Sequence, residues 1–226
     1  NPLIADCVIE NNRHDGGERG GGIHFMYGGA TVRNCLIRNN WATGGGIGGS
    51  ENGVYTIENC TIVSNYSQSS TGGGGLGLRP TFTGTFYNCI VYSNKTLSGI
   101  NPDIFMTNIN TSTFFTNCCS STWEGLPGSD NITNYPAFAA PATGDYHLAK
   151  GSPCINRGLN REWMTGTLDL DGRPRIMNGT VDIGAYEYEA TPTPTPTVPP
   201  PTDTSTPTVP PPTDTSTPTV PPPTDT

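Results

Sequence analysis

Acid–base chemistry over residues 1–124 could draw on Asp6, Glu10, Asp15, Glu18, Glu51, Glu58 and Asp103, together with His14 and His24; His147 comes later. Retaining glycoside hydrolysis needs two carboxyl groups about 5 Å apart. A lyase needs a base together with a cation or arginine that neutralises the acid of its substrate. Glu10 and Glu58 occupy different columns of the repeat described below, and the histidines are remote from one another in sequence. No catalytic pair or triad is therefore expected, and the acids read as a solvated outer face. Tyr27, Trp41, Tyr66 and Tyr92 are side chains that can stack on sugar rings, although aromatic residues also pack turns.

Sulfur chemistry is the other candidate. Cys7, Cys35, Cys60, Cys89 and Cys118 recur at steps of 28, 25, 29 and 29 residues, each flanked by apolar positions. This pattern predicts a buried column of small hydrophobes. Metal ligation needs convergent ligands, and the column has neither CxxC spacing nor a histidine partner, so no metal and no cofactor is expected. Neighbouring coils bring column sulfurs close, but strands stacked side by side seldom allow the disulfide dihedral. Cys119, next to Cys118, points to the opposite face of its strand. It is paired with Cys154 as the one expected disulfide.

The elements that position these residues follow from self-similarity. LIADCVIENN from Leu3, TVRNCLIRNN from Thr31, TIENCTIVSN from Thr56, TFYNCIVYSN from Thr85 and the decayed TFFTNCCSST from Thr113 align with a period of 25 to 29 residues. Ile4, Val32, Ile57, Phe86 and Phe115 form one apolar column, and Ile9, Ile37, Ile62 and Val91 another. A second apolar stretch follows each glycine run, GGGIHF at Gly20, GGGIGG at Gly44 and GGGGLGL at Gly72. Two strand signals per repeat, separated by turn residues, indicate an all-β protein. Stacking each repeat on the next gives a parallel β-helix, a solenoid with right-handed winding expected from the sense of parallel crossovers. Five coils would span about 24 Å.

Five residues after each column cysteine stand Asn12, Asn40, Asn65 and Asn94, with Trp123 in the last repeat. Asparagine tolerates the left-handed turn region, and its amide can bond to the asparagine of the next coil. A structural asparagine ladder is the expectation.

Composition agrees with this class. Apolar residues make up only 33% and charged residues 13%, with glycine and small polar residues filling the remainder, as in a turn-rich β protein. A net charge of -8 with only 11 Lys and Arg argues against nucleic acid as a partner. No apolar run approaches the roughly 18 residues of a membrane span. The strand pattern is already under way at Leu3, so a secretion signal is expected upstream of this sequence.

From about Gly125 the period is lost. Tyr146, Leu148, Ile155, Ile183 and Tyr186 read as anchors of a segment, residues 125–189, that caps the solenoid end and covers its unpaired strand edges. Asp169-Leu170-Asp171-Gly172 starts like a calcium loop but lacks the later ligands, so an Asp turn bonded to backbone or to Arg173 and Arg175 is expected. The set NPDIF near Asn101, GDYHL from Gly144, GSPCINRG from Gly151, DLDGRPR from Asp169 and DIGAYE from Asp182 resembles the C-terminal part of secreted bacterial right-handed β-helix proteins of the choice-of-anchor Q type, over roughly residues 85–189. The GGGI and Asn-Cys repeats are similar to those of pectin-lyase-like β-helices and polymorphic outer-membrane adhesins. The resemblance implies a secreted or surface-attached protein, held by a C-terminal anchor and without an established reaction.

Residues 190–226 form a Thr/Pro-rich stalk with an 11-residue unit, TPTVPPPTDTS, that restarts at Thr206 and Thr217. Proline favours extended polyproline II, and the tail carries too few apolar residues to fold. O-glycosylation is expected at Thr191, Thr193, Thr195, Thr197, Thr202, Thr204, Ser205, Thr206, Thr208, Thr213, Thr215, Ser216, Thr217 and Thr219. N-glycosylation triplets stand at Asn59, Asn65, Asn94, Asn110, Asn131 and Asn178, of which Asn65 and Asn94 are also ladder positions. Three functional readings follow, in this order: a non-catalytic extracellular structural or surface protein that self-associates into glycosylated fibres, a carbohydrate-binding adhesin module with a polysaccharide partner, and a truncated polysaccharide lyase or hydrolase.

Overall fold

The computed structural model describes residues 1–17, 20–49, 53–70, 72–99, 103–106, 112–123 and 125–189. Asn1–Ala190 form one compact unit. The expectations for the stalk and its glycans, for Glu18 and Glu51, for Asn101 of NPDIF and for the triplet at Asn110 lie outside the described residues.

The repeat builds a parallel β-helix of four ladders. The first stacks Leu3–Ala5, Gly28–Arg33, Gly53–Glu58, Phe82–Tyr87, Thr113–Thr116 and Gly128–Ser129. The second stacks Val8–Glu10, Leu36–Arg38, Thr61–Val63, Ile90–Tyr92 and Cys119–Ser120. Short strands Trp41–Ala42, Tyr66–Ser67 and Lys95–Thr96 make the third, and Ile23–Phe25, Ile47–Gly49, Leu76–Leu78 and Ile104–Met106 the fourth. Registers run Ile4, Val32, Ile57, Phe86, Phe115 in the first ladder and Ile9, Ile37, Ile62, Val91 in the second. Alternation turns these residues inward to a continuous core. Within it Phe25, Tyr55 and Phe82 stack at 4.4 and 5.0 Å, and Phe86 stacks on Phe115 at 4.6 Å.

Among the described residues three coils, starting at Gly28, Gly53 and Phe82, carry strands in all four ladders, and the first coil has only the isolated bridge of Arg13 to Trp41 in the third ladder, which corrects the expected five. Among the described residues the fifth keeps strands in the first two ladders only. Trp123 then turns over Phe115, with ring centroids 5.3 Å apart, and donates its indole N–H to the carbonyl of Ile132 at 2.7 Å. Gly128–Ser129 pairs back onto Phe115 and Thr116, closing the exposed core end.

The rest of the 125–189 segment does something else. It carries an antiparallel pair, Phe138–Ala140 with Asp145–Leu148, and two single-turn helices, Pro141–Thr143 and Glu162–Met164. Phe138, Tyr146, Leu148, Cys154, Ile183, Ala185 and Tyr186 bury themselves with Leu36, Val63, Ile90 and Cys119, which lie on the outer side of the second ladder. It is therefore a cover along the flank of the solenoid, where an end cap was expected. The reason is visible in that ladder: Leu36-Ile37 and Ile90-Val91 are apolar on both faces, as in strands buried on both sides.

Candidate functional site

Each coil corner between the first and second ladders has a left-handed residue, Asp6, Asn34, Asn59, Asn88 and Asn117, with φ between 47° and 54°. A column cysteine follows each one. Cys7, Cys35, Cys60, Cys89 and Cys118 donate their thiols to the carbonyls of Ala5, Arg33, Glu58, Tyr87 and Thr116, at 2.9 to 3.4 Å. The last four are fully buried, and Cys7, in the first coil, is partly so. Burial pushes the Cys60 and Cys89 thiols well up, and a neighbouring thiol together with burial does the same to Cys35. Cys35, Cys60 and Cys89 are thus protonated, unreactive turn-closing groups.

The ladder asparagines form a second polar file, polarised along the solenoid. The amide N and Nδ2 of Asn12 both donate to Asn40 Oδ1, at 3.1 and 2.9 Å. Asn40 does the same to Asn65 Oδ1, and Asn65 to Asn94 Oδ1. Room for the amides comes from the last glycine of each run: a Cβ at Gly22 would lie 2.9 Å from Asn40 Nδ2, one at Gly46 2.7 Å from Asn65, and one at Gly75 2.7 Å from Asn94 Nδ2. In the fourth coil the corresponding position, immediately before Ile104, is Asp103. Its Oδ1 accepts both Asn94 donors, at 2.8 and 2.9 Å, while Ser121 bonds to Oδ2. Asp103 therefore ends the ladder, and it is buried where a solvated face was expected. Burial raises its pKa against the pull of these donors. Trp123 is not a rung.

The corner asparagines grip the cover, a role the sequence reading missed. Asn34 Nδ2 donates to the carbonyl of Leu168 at 3.1 Å, Asn59 Nδ2 to that of Asp182 at 3.2 Å, and Asn117 Nδ2 to that of Arg157 at 3.0 Å. Asn88 accepts from Leu159 N at 2.7 Å and donates to its carbonyl at 3.0 Å. Their appearance before four of the five column cysteines was the available signal. Asn59, Asn65 and Asn94 are buried, so an N-linked glycan has no access to them in the folded chain, whereas Asn178 is exposed.

Glu58 also departs from the solvated reading. It is buried and held between Arg33 at 3.0 Å and Arg161 of the cover at 2.7 Å. Arg33 lies over the Trp163 ring at 4.1 Å, and Arg161 over the Tyr87 ring at 3.9 Å. The cover is thus clamped to three coils by alternating charge and aromatic faces. Glu10, by contrast, pairs on the surface with Arg38 at 2.6 Å, and Asp15 with Arg13 at 2.7 Å.

An acidic cluster around an arginine does form, in the cover rather than in the repeats. Asp169, Asp182 and Glu187 surround the fully buried Arg175. Arg175 donates to Asn34 Oδ1 and Ala185 O, both at 2.9 Å, and to Gly184 O at 2.5 Å, and it lies 3.2 Å from Glu187. Asp169 accepts from the amides of Asp171, Arg173 and Glu187, so DLDG is a backbone-bonded turn. Asp182 accepts from the amides of Asn156 and Tyr188, both at 2.6 Å. Three carboxyls share one guanidinium. Burial, reinforced by the Asp182 and Asp169 charges and opposed by Arg175, raises the pKa of Glu187 to about 8.

His147 is the third chemistry-bearing group. Its Nδ1 faces Asp145 at 2.5 Å and its Nε2 faces Asp171 at 2.6 Å, with the ring 4.1 Å from that of Tyr186. Burial acts to lower its pKa, but the two carboxylates outweigh it and the net shift is upward. An imidazolium between two acids ties the antiparallel pair to the DLDG turn. His14 and His24 lie in the first coil, away from this bridge in chain order.

Of the aromatic candidates, Trp41 and Tyr66 stack on each other at 4.0 Å, with Arg13 5.1 Å from the Trp41 ring. They therefore face along the solenoid axis instead of outward. Tyr92 meets Tyr135 edge to face at 5.6 Å, and Tyr27 is exposed. Cys119 and Cys154 are fully buried in the same cluster, within hydrogen-bonding reach as free thiols.

The profile of a family described as the right handed beta helix region matches residues 1–126. The chain belongs to that family. Its β-helix is similar to the crystal structure of pectate lyase Pel9A, with 12% identity and a TM-score of 0.42, over 83% of this chain. The match spans 59% of that chain, less than two thirds of its length. No curated protein matches this β-helix chain. Among the described residues no helix is long and apolar enough to cross a membrane.

Proposed function

We propose that this β-helix is a non-catalytic extracellular structural module of the choice-of-anchor Q type, carried on an O-glycosylated Thr/Pro stalk and able to self-associate into fibres. One observation carries the reading. The polar groups best suited to chemistry are already engaged in holding the solenoid to its cover: Glu58 between Arg33 and Arg161, Asp103 at the ladder end, and His147 between Asp145 and Asp171. A catalytic carboxylate or imidazole must exchange partners with substrate, and doing so here would loosen the fold. The carbohydrate-binding alternative ranks lower because Trp41 and Tyr66 direct ring faces at each other.

The test uses the full chain. Electron microscopy of a native preparation should show fibres, and dispersed monomers alone would overturn the self-association. Incubation with a polysaccharide panel should release neither unsaturated nor reducing-end products; release of either refutes the non-catalytic role.

A further inference from the structure

Seven cysteines fall into two groups by the direction of their side chains. The five column cysteines stand at matching corners of consecutive parallel coils, so their Cα–Cβ bonds run side by side. Such an arrangement brings sulfurs near each other while disfavouring the roughly 90° torsion of a disulfide. Each thiol is engaged with the carbonyl two residues before it, within its own coil, whereas the Cys119 thiol donates to the carbonyl of Asn134, in the segment that leads to the cover, at 3.2 Å. Cys119 is one residue out of this phase. It pairs with Ile90 in the second ladder and points outward, under the cover.

Cys154 comes to it from the opposite side. It lies in the turn Gly151–Asn156 region of the cover, where Ile183 N bonds to its carbonyl at 3.0 Å and Ser152 Oγ accepts from its amide at 3.2 Å. Both sulfurs are sealed from water by Ile90, Phe138, Tyr146, Leu148 and Ile183. Here the two cysteines come from two layers packed on each other in one buried cluster, an arrangement that a disulfide can bridge.

We propose that Cys119 and Cys154 form a disulfide that locks the cover onto the solenoid, while the five column cysteines stay reduced. The oxidant is a small disulfide of the glutathione class. One thiolate attacks it and releases one thiol, and the second cysteine displaces the other half as a second thiol. Two cysteine hydrogens and two electrons thus pass to the reagent. In the folded chain a neighbouring thiol and burial hold Cys119 protonated. Exchange therefore takes place before the cover docks, while both sulfurs are wet. The bond closes a loop of 35 residues between the fifth coil and the cover.

The full chain is refolded in mixed oxidised and reduced glutathione, denatured without reductant and alkylated. The expected result is five modified cysteines and a mass lower by two hydrogens. Trypsin should then yield peptide 151–157 linked to peptide 96–150. That link should persist in Cys118→Ala and vanish in Cys119→Ala. Reduction should lower the melting temperature by about 10 °C, from the entropy released to the unfolded chain. Seven alkylated cysteines, or a link that survives in Cys119→Ala, overturns the pairing. An unchanged melting temperature on reduction overturns the locking role. None of these outcomes depends on whether the protein forms fibres or acts on a sugar.

Discussion

The guanidinium of Arg175 donates to the side-chain oxygen of Asn34 at 2.9 Å, across 141 residues of sequence, with both groups buried. This bond ties the charged centre of the cover to the second coil. Around it sit more carboxyls than one arginine can neutralise, and the pH dependence of the fold follows from that imbalance.

Glu187 is raised to about 8 from an ordinary value near 4.5. Between these limits the folded chain holds a proton that the unfolded chain has released, so stability falls as pH rises. Melting temperature should decline from pH 5 to pH 9, with most of the loss complete once pH has passed 8. Glu187→Gln should flatten this slope. An equally steep slope in the variant would show that other groups cause it.

His147 contributes in the same direction, because its folded pKa lies above the ordinary value of 6.5. The bridge to Asp145 and Asp171 is fully charged below that value and is lost as pH rises through the raised one. An NMR titration of the imidazole should give a midpoint above 6.5, returning toward it in Asp171→Asn. A midpoint at or below 6.5 in the native chain would sink the imidazolium bridge.

Asn65→Ala removes the acceptor for two Asn40 donors and the Nδ2 donor to Asn94, and leaves the backbone N–H donor of residue 65 in place. The Asn40 backbone N–H is left without its acceptor in the core, whereas Asn40 Nδ2 keeps the Ile9 carbonyl at 2.9 Å. The loss should be about 2–4 kcal/mol in urea denaturation, from unsatisfied buried polar groups. Asn12→Ala, in the partly exposed first coil, should cost under about 1 kcal/mol.

Glu58→Ala leaves Arg33 and Arg161 without their shared carboxylate. The cost should be about 2–4 kcal/mol, since one side of a mostly buried pair is left uncompensated. Native trypsin should cut after Arg161 at least several-fold faster in this variant. Unchanged cleavage would mean that the clamp does not hold the segment down.

Thiol reactivity separates the column from ordinary surface cysteines. Burial and raised pKa values predict that Cys35, Cys60 and Cys89 resist iodoacetamide at pH 8 in the native chain and react at once in denaturant. Mass spectrometry of tryptic peptides reads this residue by residue. Rapid native labelling of Cys60 would contradict a closed column.

What the sequence determined by itself was the solenoid and its inward side. A repeated pattern of Ile4, Val32, Ile57, Phe86 and Phe115 can bury its faces only by stacking in register, so strand type, parallel pairing and core membership all follow from local periodicity. Asn12, Asn40, Asn65 and Asn94 were legible for the same reason. Where the period stops, this kind of inference stops with it. Only the tertiary structure decided that Asp103 replaces the next asparagine, that Glu58 lies beneath Arg161, and that residues 134–189 lie along the flank. These contacts join segments up to 141 residues apart, and burial, which no local pattern encodes, turns an apparently solvated acid into a buried link between coil and cover.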